Sequence, residues 1–185
     1  MQTLTLGHCT VTVPEGERIF PVIVVYGGLR HLEGAWLVGQ IPAPIQQSAI
    51  FVFPTHFSNN LAQCLSELRQ AVPKERLGSY SLCGYSRGGV EVYRYMSLEP
   101  WKLLGLIDPT APTLGGFGIS VLDTFKARVR CVYWVPNWGA GGYGGRVPAF
   151  AEYLRKKKYK LVEKAIGHED MPNFFFKTFG QDFLQ

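Results

Sequence analysis

The segment Gly84-Tyr85-Ser86-Arg87-Gly88 places one serine between two glycines. An apolar run precedes it at Tyr80–Cys83, and a helical pattern follows it to about Met96. A serine on a sharp turn between a strand and a helix has an exposed hydroxyl, and the flanking glycines avoid clashes with the neighbouring elements. The N–H groups that begin the helix favour developing negative charge. This context predicts that Ser86 is a nucleophile; the alternative is a serine that only forms the turn or caps the helix.

A serine hydroxyl becomes a good nucleophile when a base takes its proton, and the base needs an acidic partner that holds its tautomer. Where a serine sits on such a turn, the acid and then the histidine follow it in the chain. Of the four histidines, only His168 lies downstream of Ser86. It comes directly after the last predicted strand, within Gly167–Met171. We predict that His168 is the base; the alternative is a histidine in a surface loop.

Asp108 is the favoured acid because it ends the apolar run Leu103–Ile107, and ligand chemistry in open α/β sheets gathers at the carboxyl ends of strands. Its alternative role is a structural turn before Pro109. The next predicted strand is followed by Pro136-Asn137, so an asparagine stands at the alternative position for the acid. Two further acids, Glu169 and Asp170, adjoin the histidine too closely in sequence to point at it readily. A last candidate, Asp123, is interpreted as a helix-start residue.

An oxyanion formed in such a reaction needs two N–H donors. The backbone N–H of Arg87 is one by its position after the nucleophile. The other is expected from Gly28 or Leu29, in the loop that follows the first central strand. The alternative is that Gly27-Gly28 forms a simple turn.

Aromatic side chains near these positions are candidates for an apolar acyl pocket. We predict that Tyr85, Trp138 and Tyr143 contact substrate, although aromatic residues also belong commonly to cores. The glycine-rich segment Trp138–Arg146 lacks the spacing and the lysine of a phosphate-binding loop, so no nucleotide site is expected. It is interpreted as a loop bordering the pocket or as a plain connection.

Short apolar runs alternate with segments of helical periodicity, which is typical of a mostly parallel central sheet with helices on both faces. Strands are predicted at Val22–Tyr26, Ala49–Phe53, Tyr80–Cys83, Leu103–Ile107, Val129–Val135 and Lys160–Ile166. Helices are predicted at Leu61–Val72 with a cap at Ser58 or Asn59, from just after Ser86 to Met96, at Val147–Lys157 and at Asn173–Phe179. In the second of these helices, Glu91 and Arg94 are expected to face water. The first dozen residues are expected to form an antiparallel hairpin at the sheet edge.

The 185 residues, 46% of them hydrophobic, are predicted to form a single domain over residues 1–185. The net charge of +5 is scattered except at Arg155–Lys158, interpreted as a solvated helix end, so no nucleic acid is expected as a partner. The four cysteines lack CxxC spacing, and three of them sit in apolar stretches, which favours buried thiols over a metal site. No signal peptide and no membrane-spanning run is visible, which favours a cytoplasmic protein. Export without a cleavable signal is the alternative.

Taken in order, the Gly27-Gly28 loop, the Gly84-x-Ser86-x-Gly88 turn, Asp108 and Gly167-His168 resemble the α/β-hydrolase superfamily. This resemblance spans most of the chain and implies a compact α/β-hydrolase fold with Ser86, His168 and Asp108 as its catalytic triad. An acid after the strand next to the nucleophile is similar to the thioesterase domains of peptide and polyketide synthetases. The stretch from Asp108 to Val129 is short, which implies a minimal lid and an open site.

The resemblance implies hydrolysis of a small carboxylic ester or thioester through an acyl-serine intermediate. Such a triad needs no metal ion and no organic cofactor, so none is expected. Two alternatives stay open: a catalytically silent scaffold that serves as a binding protein, and an amidase or peptidase using the same residues.

Overall fold

One twisted sheet of eight strands runs through the part of the chain that the computed structural model describes, residues 1–29, 34–57, 61–125, 128–134 and 148–185. The strands are β1 Gln2–Thr5, β2 Cys9–Val13, β3 Phe20–Tyr26, β4 Ile50–Pro54, β5 Leu77–Tyr85, β6 Leu103–Ile107, β7 Arg128–Trp134 and β8 Lys160–Lys164. Their order in the sheet is β1-β2-β4-β3-β5-β6-β7-β8. Strands β3 to β8 are parallel, and β1 and β2 form an antiparallel hairpin whose second strand pairs with β4. The predicted mostly parallel sheet and its edge hairpin are confirmed.

Six α-helices cover this sheet within the described residues: α1 Gly34–Gln40, α2 Ala43–Gln46, α3 Leu61–Ala71, α4 Gly88–Tyr95, α5 Pro148–Lys156 and α6 Met171–Leu184. Residues of α3, α4 and α5 pack in one apolar cluster, and residues of α1, α2 and α6 pack in a second. Side chains of β3 alternate between the two clusters, Val22 and Val24 in the first and Ile23 and Val25 in the second. A strand covered on both faces is apolar at every position, which explains its continuous hydrophobic run.

The helices differ from the predictions at particular points. The prediction missed α1 and α2, and it ended α6 at Phe179, although the helix continues to Leu184. Buried Phe183 packs in the same cluster as Phe175 and Phe179, which explains why the helix continues past Gly180. The predicted caps Ser58 and Asn59 lie outside the described residues.

The segment between β6 and β7 lies against the core. Its described part holds two short 3₁₀ turns, Pro112–Gly115 and Val121–Thr124, and no α-helix. Leu122 is fully buried, and the ring of Phe117 packs edge-on against Tyr93 of α4 with centroids 6.2 Å apart. These contacts keep the segment on the α4 side of the sheet.

Candidate active site

Ser86 stands on the turn between β5 and α4, with a backbone φ of 53°. Its N–H donates to the carbonyl of Ile107 at 2.9 Å, and its carbonyl accepts from the N–H of Thr110 at 2.9 Å. These two bonds tie the turn to the segment that follows β6. A non-glycine residue in the left-handed region costs about 1–2 kcal/mol, so the surrounding structure must impose this conformation.

The two glycines of the motif are required by close backbone contacts. A Cβ on Gly84 would collide with the carbonyl of Gly88, and a Cβ on Gly88 would lie 2.5 Å from the carbonyl oxygen of Tyr26. Only glycine lets α4 approach β5 and β3 this closely. The structure thus has the strand, turn and helix that the motif predicts around Ser86.

Asp108 and His168 form a buried pair beside this turn. Asp108 follows β6, has a φ of 43° and donates its N–H to the carbonyl of Val132 at 2.8 Å. Its Oδ2 lies 2.5 Å from Nδ1 of His168. The Asp108 side chain is fully buried, and that of His168 is 13% exposed. A neutral imidazole that donates from Nδ1 to a carboxylate presents Nε2 as its proton acceptor.

Tyr85, the residue before Ser86, contacts His168 through its ring and its hydroxyl. The two ring centroids are 4.7 Å apart, and the Tyr85 hydroxyl donates to the backbone carbonyl of His168 at 3.2 Å. Tyr85 also stacks on Trp36 of α1, with ring centroids 5.6 Å apart. The side chain of Tyr85 is only 1% exposed, so it offers little surface to a substrate. The other two predicted substrate contacts, Trp138 and Tyr143, lie outside the described residues.

The predicted oxyanion donors flank Ser86 on two sides. Gly28 is buried, and a Cβ built on it would be 3.3 Å from the Cβ of Ser86, so this loop lies directly against the serine. Its neighbour Leu29 is 72% exposed. Arg87 begins the first turn of α4. The Gly28 loop and the start of α4, from which the predicted oxyanion donors come, therefore both lie next to Ser86.

Glu91 is a buried acid that the sequence-based prediction assigned wrongly to the solvent. Its side chain is 0% exposed; Arg94 Nε lies 3.2 Å from one carboxylate oxygen and Arg87 Nη1 lies 3.6 Å from the other. Burying a carboxylate is costly unless cations compensate for the lost hydration, and the two arginines provide that compensation. The spacing of Arg87, Glu91 and Arg94 along one helix face could have indicated the cluster.

Asp123, which the sequence assigns to a helix start, contacts other residues than the histidine. Asp123, within the Val121–Thr124 turn, accepts hydrogen bonds from Tyr153 and Lys157, both at 2.7 Å. Asn137 lies outside the described residues. The structure therefore brings Asp108, of the candidates considered, to the histidine.

The cysteines are poor nucleophiles. All four are buried free thiols, which confirms the prediction of buried cysteines. Burial raises the pKa of Cys83 above its usual range, and for Cys131 burial and then the nearby Asp108 carboxylate raise the pKa.

Among the described residues, no cluster of histidine, cysteine, aspartate or glutamate could hold a metal ion. In the same ranges, no helix has the length and hydropathy that crossing a bilayer requires.

The chain matches no protein-family model and no curated protein. It is similar in structure to an esterase domain from a Rhodothermus marinus protein, with a TM-score of 0.68 and 10% identity over 99% of this chain and 95% of that one. The thioesterase domain from the curacin biosynthetic pathway gives 0.63 and 14%, over 100% and 98%. Est1E from Butyrivibrio proteoclasticus gives 0.62 and 14%, over 99% and 98%. These neighbours confirm the predicted α/β-hydrolase fold.

Proposed function

We propose that this protein is a serine hydrolase that cleaves a small carboxylic ester or thioester through an acyl-Ser86 intermediate. The observation that carries the proposal is the buried pair of Asp108 and His168, 2.5 Å apart, at the end of the strand beside Ser86. A carboxylate that fixes the tautomer of a histidine next to a strained serine is the arrangement that acyl transfer requires. The esterase and thioesterase neighbours of similar length support the same class of reaction.

In the first half of the proposed reaction, His168 Nε2 takes the proton of the Ser86 hydroxyl while Oγ attacks the carbonyl carbon of the substrate. The carbonyl π electrons move to oxygen, and the N–H groups of Arg87 and of Gly28 or Leu29 stabilise the oxyanion. Collapse of this tetrahedral intermediate breaks the bond to the leaving group, which takes the proton from the imidazolium. Asp108 stays ionised and stabilises the imidazolium throughout.

In the second half, water attacks the acyl-Ser86 carbonyl and gives its proton to His168. The second tetrahedral intermediate releases a carboxylic acid, and the proton returns to Ser86. Water is thus the final acyl acceptor. This sequence needs no group beyond the chain's own residues and water.

Two contacts extend the triad. Tyr85 supports His168 through its ring and its hydroxyl, and we assign it a positioning role.

The packing of the β6–β7 segment on the core supports an open site with a minimal lid, which favours short acyl chains. The four free thiols support a reducing compartment, and we propose a cytoplasmic location.

The test is hydrolysis of p-nitrophenyl esters of increasing chain length by the wild type and by Ser86→Ala. We expect turnover that is highest for short chains and is lost in the variant. Ser79→Ala is the matched control, since Ser79 is an exposed serine on the same strand. Equal turnover in Ser86→Ala and the wild type would reject the proposal. Folded wild type that hydrolyses none of the esters would favour the silent scaffold.

A further inference from the structure

The side chain of Arg87 has no role in the proposed triad. Its backbone N–H is the expected oxyanion donor, and its guanidinium extends toward the segment that follows β4. There it lies over the ring of Phe57, 5.3 Å from the ring centroid. Contact with an aromatic face fixes the direction of an otherwise flexible cation.

Among the described residues, this cluster holds more positive than negative groups. Within the described residues, two guanidinium groups, those of Arg87 and Arg94, contact the one buried carboxylate of Glu91. The carboxylate is completely buried, whereas the Arg87 side chain is 32% exposed. Nη1 of Arg87 is buried on the side of Glu91, at 3.6 Å, which is longer than a hydrogen bond. The rest of the guanidinium thus keeps donors toward solvent, on the residue that follows Ser86 in the chain.

His168 and the guanidinium of Arg87 lie toward different neighbouring strands of Ser86. His168 lies on the side of Asp108 and β6, and it must protonate the leaving group, so the leaving group departs on that side. The guanidinium of Arg87 contacts Phe57, which follows β4. In the sheet, β3 and β5 separate β4 from β6. The strands that precede Phe57 and Asp108, β4 and β6, thus lie on opposite sides of β5, the strand that precedes Ser86.

We infer that Arg87 selects substrates whose acyl group carries an anionic group, such as the free carboxylate of a dicarboxylic acid monoester or monothioester. The guanidinium fork pairs with a carboxylate through two parallel N–H···O bonds. Glu91 is the positioning residue that aims the fork, and Phe57 supports its outer face. This specificity rests on the proposed hydrolase activity.

The experiment compares two esters of equal chain length, mono-p-nitrophenyl adipate and its methyl ester, which lacks the free carboxylate. Adipate is chosen because monoesters of shorter diacids hydrolyse by attack of their own carboxylate. We expect kcat/KM of the wild type to be about tenfold higher for the anionic ester, as a partly exposed charge-assisted pair gives. The ratio should fall to about one in Arg87→Gln and be partly retained in Arg87→Lys.

Using the ratio of the two esters removes any effect of the Arg87 substitution on the oxyanion site, which both share. Arg69→Gln is the matched control, since it also removes one positive charge. Arg69 pairs with Glu99 at 2.7 Å and stacks on Tyr80, roughly 20 Å along β5 from Ser86. Its ratio should equal that of the wild type. High salt should reduce the wild-type preference, because the exposed part of the guanidinium is screened.

A second pair of esters tests the side on which the anion binds. It carries the carboxylate on the leaving group, as in the hexanoyl ester of a hydroxynitrobenzoate and its methyl ester. A preference confined to this pair would overturn the assignment of the anion to the acyl group. Equal kcat/KM for the adipate pair in the wild type, or an unchanged ratio in Arg87→Gln, would overturn the role of Arg87. In each of these cases Ser86-dependent turnover of the neutral ester would leave the hydrolase proposal intact, and its absence would reject that proposal itself.

Discussion

Replacing Asp108 by asparagine removes the charge that holds His168 while keeping the size of the side chain. Asparagine also tolerates the left-handed backbone, so the φ of 43° at this position adds no new strain. The carboxylate is fully buried and lies 2.5 Å from Nδ1 of His168. In the variant the amide would present an N–H₂ group to that nitrogen, which favours the tautomer that carries its proton on Nε2.

Two losses combine in the expected effect. A hydrogen bond to a charged group contributes about 1.5–3 kcal/mol, and losing it from the imidazolium-like transition state lowers kcat by about 10- to 150-fold. The unfavourable tautomer lowers the fraction of enzyme with a competent base, and in triads of this kind the full loss reaches about 10⁴-fold. We therefore expect Asp108→Asn to lower kcat by about 10²- to 10⁴-fold.

The assay is steady-state hydrolysis of p-nitrophenyl butyrate, with circular dichroism to verify that the variant is folded. Asp123→Asn is the matched control, because that carboxylate contacts Lys157 and Tyr153 instead of a histidine. Its turnover should equal that of the wild type. The contradicting result is a folded Asp108→Asn that keeps more than about a tenth of the wild-type kcat. The lost hydrogen bond would then contribute less than about 1.5 kcal/mol to the transition state, and Asp108 would not be the acid.

Three further predictions follow from the geometry of the site and its supports. Tyr85→Phe removes the hydroxyl that donates to the His168 carbonyl at 3.2 Å but keeps the stacked ring, so kcat should fall by about 2- to 10-fold in steady-state assays, and an unchanged kcat would exclude the positioning role. Gly88→Ala places a Cβ 2.5 Å from the Tyr26 carbonyl oxygen and should lower the free energy of unfolding by about 1–3 kcal/mol in urea titrations. Gly39→Ala, which meets no atom within 4 Å, should raise it by about 0.4–1 kcal/mol; the same sign for both alanines would contradict the packing described. The buried thiols should not react with Ellman's reagent in the folded protein, and all four should react after unfolding in guanidinium; rapid reaction of the native protein would refute their burial.

Most of the sheet was predictable because its strands are buried on both faces. The strand Leu103–Ile107 has the same ends in the prediction and in the structure, since every residue in it is apolar and Asp108 and Pro109 follow. The motif around Ser86 was predictable for a different reason. Its glycines are demanded by backbone contacts that any strand, turn and helix of this geometry must make.

The features that the sequence did not reveal depend on contacts that hydrophobic periodicity does not record. Hydrophobic periodicity assigns a charged residue to the solvent, so it could not predict Glu91, whose burial is compensated by two arginines on its own helix. Tyr85 was predicted to contact substrate, but its neighbours Trp36 and His168 come from α1 and from the chain after β8. The segment of α1 and α2 is short and is interrupted by prolines, so its local pattern is weak even though Leu37 and Ile45 are buried in the core.

Covalent capture of the nucleophile tests the proposed mechanism most directly. The folded wild type is treated with a fluorophosphonate, and the modified peptide is identified by mass spectrometry. We expect one adduct, on Ser86, which is absent in Ser86→Ala and strongly slowed in Asp108→Asn, because the phosphonylation step needs the same activated hydroxyl. Folded wild type that forms no adduct, or an adduct that persists on another residue in Ser86→Ala, would contradict the assignment of Ser86 as the nucleophile.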